Sequence, residues 1–163
     1  MLADKQVLVE MPATLQAFDT ETATRLRTAI GRLSRRLRGT AAAREAGLTP
    51  TATSIFLGVD RNGRVRLAEL AEWEGINPTL LSRVIAKLVD DGLLERTSDE
   101  GDRRAAWVAV TAAGHRLAER MRRERTEAVN AALGELSERD RKRIESALPA
   151  LELLAEQLKG RRP

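Results

Sequence analysis

LAELAEWEGINPTLLSRVIAKLVDDGLLERTSDEGDRRAAWVAVT, residues 67–111, is divided by its own punctuation. Gly75 closes a short amphipathic helix over LAELAEWE, and Asn77-Pro78 opens another. Asparagine supplies a side-chain acceptor at the cap, and proline's fixed φ suits the first helical position, where its missing N–H costs nothing. Within that second helix, residues 78–91, Leu81, Val84, Ile85 and Leu88 recur at i, i+3, i+4 and i+7, which assigns them to the core. Asp91-Gly92 ends it. LLERT and AWVAVT then flank a charged turn and read as a two-stranded hairpin, with Val108 and Val110 on one side and Trp107 and Ala109 on the other. Two strands are marginal alone, so the hairpin must lean on the helix pair. Two helices joined by a turn of a few residues are the unit that delivers side chains into a DNA major groove.

Upstream, Thr49-Pro50 repeats the start signal for a helix ending near Asn62-Gly63, followed by a brief extended piece, RVRL. From Thr20 to about Gly39, Leu26, Ile30, Leu33 and Leu37 share one helical face, while six arginines occupy the others. That run reads either as a solvated face or as a contact for phosphate or an acidic partner. Downstream, Thr111 caps a long helix with Leu117, Met121, Ala128 and Ala132 on its apolar side. Ser137 to Asp140 resembles a capping box, and it opens a last helix in which Ile144, Leu148, Leu151, Ala155 and Leu158 form a stripe and Pro149 predicts a bend. Long striped helices at both ends of so short a chain, around a small central reader, predict intertwining with a second copy. The dimerisation residues expected are Leu26, Ile30, Leu33, Ile144, Leu148, Leu151 and Leu158.

Composition agrees. The chain has 163 residues, 42% hydrophobic and only 2% aromatic, so one mostly α-helical core of Leu, Ala, Val and Ile is expected. The formal charge of +4 suits a polyanionic partner without demanding one. There is no cysteine and a single histidine, His115, which leaves no thiol redox chemistry, thiolate metal site or histidine cluster. No apolar run approaches the roughly 20 residues of a membrane span, so a cytoplasmic protein without membrane contact is expected.

The outward face of the second helix carries Pro78, Thr79, Leu80, Ser82, Arg83 and Lys87. Small side chains permit close approach to base edges, Arg and Lys can reach guanine or phosphate, and a helix N-terminus favours anions. The hairpin tip answers to similar chemistry: an arginine in the narrow, negative minor groove gains from the focused potential, and an adjacent carboxylate can preorganise its fork. Asp102 and Arg104 are the expected pair, with Arg103 on phosphate. Between Arg83 and Arg104 five cations face six acids, so arrangement and not net charge supports this.

GLLERTSDEGDRRAAWVAVTAAG, residues 92–114, resembles the wing signature of the MarR family of winged helix-turn-helix regulators, and residues 67–96 resemble that family's reading segment. The resemblance implies an N-terminal arm (1–19), a winged helix-turn-helix domain (48–111), and a helical dimerisation region (20–47 and 112–163). It implies a homodimer on a palindromic operator in double-stranded DNA, a repressor by the family's habit. Thr79, Leu80, Ser82, Arg83 and Lys87 would face the major groove, and Asp102 and Arg104 the minor groove. Leu80 stands where the family commonly has a small polar residue, which suggests a thymine methyl contact or a different operator. No cofactor or metal is expected. A small aromatic effector is implied by many relatives, but no residue here identifies it; Trp73 and Trp107, the large rings near the reader, read as core.

An enzyme would need a nucleophile with its base, paired carboxylates, a metal cluster or a phosphate-cradling glycine loop, and the sequence offers none. The remaining rivals are a basic helical protein that coats DNA without sequence preference and a protein-binding adaptor on a winged-helix frame.

Overall fold

The computed structural model describes residues 20–98 and 106–158. The expected N-terminal arm, the wing-tip residues Asp102, Arg103 and Arg104, and the GRRP tail lie outside the described residues. The chain separates into two compact units, Met1–Arg38 and Gly39–Pro163.

The first unit contributes one helix, α1 (Thr20–Leu37), with Glu21 in its first turn and Arg35 and Arg36 in its last. Those charges complement the helix dipole at each end. No residue of α1 is buried; Leu26 is half-buried, and Ile30 and Leu33 are exposed.

The second unit begins with a short helix that the sequence did not announce, α2 (Ala41–Glu45). Thr40 caps it by accepting from the Ala43 N–H at 3.2 Å, and the Glu124 carboxylate accepts from the Ala42 N–H at 3.1 and 3.2 Å. Ala42 and Ala43, in the segment expected among the dimerisation helices, are buried in the core of this second unit. Next come α3 (Pro50–Asn62), β1 (Val65–Arg66), α4 (Leu67–Glu74) and α5 (Pro78–Asp90). Each sequence start signal is realised as a hydrogen bond: Thr49 accepts from the Ala52 N–H at 3.2 Å, and Asn77 from the Thr79 N–H at 2.8 Å. Gly75 ends α4 in the left-handed conformation, φ 63°, which lets the chain turn sharply into α5.

Strands β2 (Leu94–Ser98) and β3 (Ala106–Val110) form the hairpin, and β1 adds to it in the order β1-β3-β2, antiparallel throughout. Trp107 lies opposite Arg66 on one side and Thr97 on the other. The inward face of the sheet brings Val65, Leu94 and Val108 against Ile55, Phe56 and Val59 of α3, Leu70 of α4, and Leu81, Ile85 and Leu88 of α5. The chain ends in two long helices, α6 (Ala112–Gly134) and α7 (Glu138–Leu158).

Helix α6 enters the core with Leu117, Ala118 and Met121, while Ala128 and Ala132, expected on its apolar side, are exposed. At its start the Thr111 hydroxyl donates to the Gly92 carbonyl at 2.7 Å and accepts from the Gly114 N–H at 3.0 Å. Gly114 is buried and lies flush against the Leu93 carbonyl; a Cβ there would also come within 2.6 Å of Val110 Cγ1. Ser137 caps α7 through the Asp140 N–H at 3.2 Å, and the helix runs through Pro149 without burying a single residue.

A charged clamp ties α3 to α6. The Asp60 side chain is only 3% exposed; it accepts from Arg122 Nη1 at 2.6 Å and lies 3.1 Å from Nδ1 of His115. Arg122 also donates to Glu119 at 2.7 Å, and the carboxylates of Glu119 and Asp60 raise its pKa further above an already basic value. Replacing Asp60 with alanine should cost about 1–3 kcal/mol, since a nearly buried, charge-assisted bond is lost. Urea unfolding would show this as a lower midpoint; an unchanged midpoint would mean that the clamp adds nothing to the packing around it.

Candidate nucleic-acid interface

The α5 core stripe fixes which side of that helix is left over. With Leu81, Ile85 and Leu88 buried, Pro78, Thr79, Leu80, Ser82, Arg83 and Lys87 are all exposed, as the sequence predicted for a reading face. Leu80, 47% exposed, is a large apolar side chain held in water next to the helix start. It can meet a thymine methyl and cannot hydrogen-bond a base. The first turn of α5 lies among these side chains, and the amides of a helix N-terminus attract anions. Lys87 is engaged already: its Nζ lies 2.8 Å from one Asp91 carboxylate oxygen and donates to the second at 3.1 Å. Contact with phosphate would have to displace that exposed pair, which is weak enough to be displaced. The i, i+4 spacing of Lys87 and Asp91 was legible in the sequence.

Beside the reading helix, the hairpin strands pair in register from Leu94↔Val110 to Ser98↔Ala106, so the wing's base is an ordered ladder directed toward its charged tip. Asp102, Arg103 and Arg104, assigned to that tip, lie outside the described residues. At the base is a cluster that sequence reasoning missed. The guanidinium carbons of Arg64 and Arg66 lie 4.8 and 4.9 Å from the centroid of the Trp107 ring, and Arg64 Nη2 donates to Thr97 Oγ1 at 3.3 Å. Trp107 is half-buried under these side chains. Trp73, also expected in the core, is 55% exposed and corrects that expectation. Leu70 and Ala71 already fill the inward positions of α4, and Trp73 falls off their stripe.

The candidate dimerisation residues are available for contact. Ile30 and Leu33 of α1, and Ile144, Leu148, Leu151 and Leu158 of α7, are exposed, and Leu26 is half-exposed. Among the described residues no group of three or more His, Cys, Asp or Glu side chains could hold a metal ion, and no helix is long and apolar enough to cross a membrane.

Residues 46–105, which span the helix pair and the first hairpin strand and stop short of β3, match the family model of the MarR family. Solved structures of the same fold cover most of the chain. The chain aligns with transcriptional regulator Tm0710 from Thermotoga maritima at 23% identity and a TM-score of 0.72, over 88% of this chain and 100% of that one. A MarR transcriptional regulator from Methanosarcina mazei aligns at 22% identity and a TM-score of 0.62, over 85% and 99%. MarR itself from E. coli, in its apo form, aligns at 16% identity and a TM-score of 0.66, over 82% and 96%. No curated protein sequence matches the chain significantly. The mostly helical fold with its small three-stranded sheet is the one that these solved regulators share.

Proposed function

We propose that the chain is a sequence-specific regulator of transcription that acts as a homodimer on a palindromic operator, represses by occupying it, and works in the cytoplasm. The observation that carries the reading is the outward face of α5: small, apolar and cationic side chains around a capped N-terminus, held rigid by a fully buried stripe behind. Support for the dimer comes from α7, a 21-residue helix that buries nothing while exposing Ile144, Leu148, Leu151 and Leu158. A stripe of that kind gains free energy only when a partner covers it. Release by a small aromatic effector belongs to the same proposal; such a ligand acts through its differential affinity for the two spacings of the readers.

Selection of bound sequences from random duplexes, followed by titration of the winner and a scramble at two salt concentrations, tests this. A palindrome with half-sites about one helical turn apart, bound far more tightly than the scramble, is the expected result. Equal, salt-steep binding to both would identify a DNA-coating protein instead. On the selected operator, Arg83→Ala and Arg104→Ala should each cost about 1–3 kcal/mol of binding with the fold intact. Unchanged affinity at matched salt would remove the substituted residue from the interface.

A further inference from the structure

We propose that Arg64 and Arg66, stacked on Trp107 at the base of the wing, grip the phosphate backbone beside the minor groove that the wing tip enters. The proposal rests on the DNA-binding reading above and extends it to residues outside the reading helix and the tip.

Neighbouring strands lie about 4.8 Å apart, so the base of the wing, with three strands in the order β1-β3-β2, is about 10 Å across. The minor groove of B-DNA is about 6 Å wide. The three-stranded base is therefore too wide for that groove, and β1, on the outer edge beside β3, would meet its rim, where the phosphates are.

Arg66 faces Trp107 across the ladder and Trp107 faces Thr97, one rung short of the end of the described hairpin. Guanidinium, ring and hydroxyl therefore share one face of the sheet. The other face, with Val65 and Val108, is buried in the core, so the platform has a rigid backing.

Both guanidiniums sit within 5 Å of one ring centroid. That places the two like charges no farther apart than about a Debye length at physiological salt, roughly 8–10 Å, so they repel. Two guanidiniums held at one ring concentrate positive charge on a small area, and a phosphate oxygen bridging them would be attracted by both. Stacking, together with the Arg64–Thr97 hydrogen bond, also fixes the planes of the guanidinium forks before DNA arrives and lowers the entropy lost on binding.

The test uses an alanine pair (Arg64→Ala with Arg66→Ala) and a charge-retaining pair (Arg64→Lys with Arg66→Lys), with Arg83→Ala alongside. Each is titrated against the selected operator and a scrambled duplex over a salt series, and circular dichroism checks its fold. Each phosphate contact contributes about 0.9 to the slope of log K against log salt, so the alanine pair should lower the slope of a dimer by about 2 to 4. It should weaken operator and scramble alike, by about tenfold or more, and the lysine pair should recover most of the slope. An unchanged slope in the alanine pair overturns the proposal. So does a loss confined to the operator that lysine fails to restore, because a purely structural clamp on Trp107 would give that pattern. If Arg83→Ala weakens binding and the alanine pair does not, the DNA-binding reading stands and the phosphate grip falls. Wild-type protein that binds neither duplex overturns both.

Discussion

A chain carrying Leu148→Glu and Leu151→Glu should sediment as a folded monomer and lose operator affinity by about 100-fold or more. Both positions lie on the exposed apolar stripe of α7, and two buried carboxylates per protomer cannot be paired across an interface built from leucine. The reader should survive, because its core draws on α2 to α6 and the sheet and takes nothing from α7. What disappears is the coupling of two readers. A dimer converts the second half-site into an intramolecular encounter, commonly worth a factor of about 10² to 10⁴ in avidity. Analytical ultracentrifugation and operator titration read the two effects separately. A variant that stays dimeric and binds as before would show that the stripe is not the interface.

Gly114→Ala should destabilise the second unit by about 2–3 kcal/mol, although alanine is the better helix former by about 1 kcal/mol. The new methyl would collide with the Leu93 carbonyl and approach Val110 Cγ1 to 2.6 Å. Neither neighbour can yield cheaply. The Leu93 carbonyl accepts from the Thr111 N–H at 3.1 Å, and the Thr111 hydroxyl holds the adjoining Gly92 carbonyl at 2.7 Å. At Gly134, at the far end of the same helix, an added Cβ would meet nothing within 4 Å, so Gly134→Ala should be neutral or slightly stabilising. Thermal or urea unfolding of the two variants should show shifts of opposite sense; equal midpoints would mean that the α6–β2 junction relaxes freely.

The reader was legible because its signals are local. Thr49-Pro50, Asn77-Pro78 and Gly75 each have a short-range physical consequence, and each appears as a cap or a turn. The Leu81, Ile85 and Leu88 stripe likewise settled which face of α5 remained exposed. What escaped depends on distant partners. Helix α2 is five residues with no usable period, and the Ala42 amide in its first turn is satisfied by Glu124, 82 positions away. Strand β1 has two residues, too few to reveal that Arg64 and Arg66 would meet Trp107 across a ladder. Trp73 is a different case: counting from Leu67, the inward positions are Leu70 and Ala71, so its exposure could have been read from the pattern, and ring size misdirected the assignment.

The clamp of Asp60, Arg122 and His115 ties α3 to the first half of α6. Helix α6 has 23 residues, a rod of about 34 Å, with its buried anchor near one end. A tilt of only 5° or so imposed at the free end would swing the reading face by about 3 Å over that length. This is close to one base-pair step, about 3.4 Å. In the proposed dimer, a rearrangement too small to disrupt any packing would therefore shift the two reading faces by about one base pair of operator register.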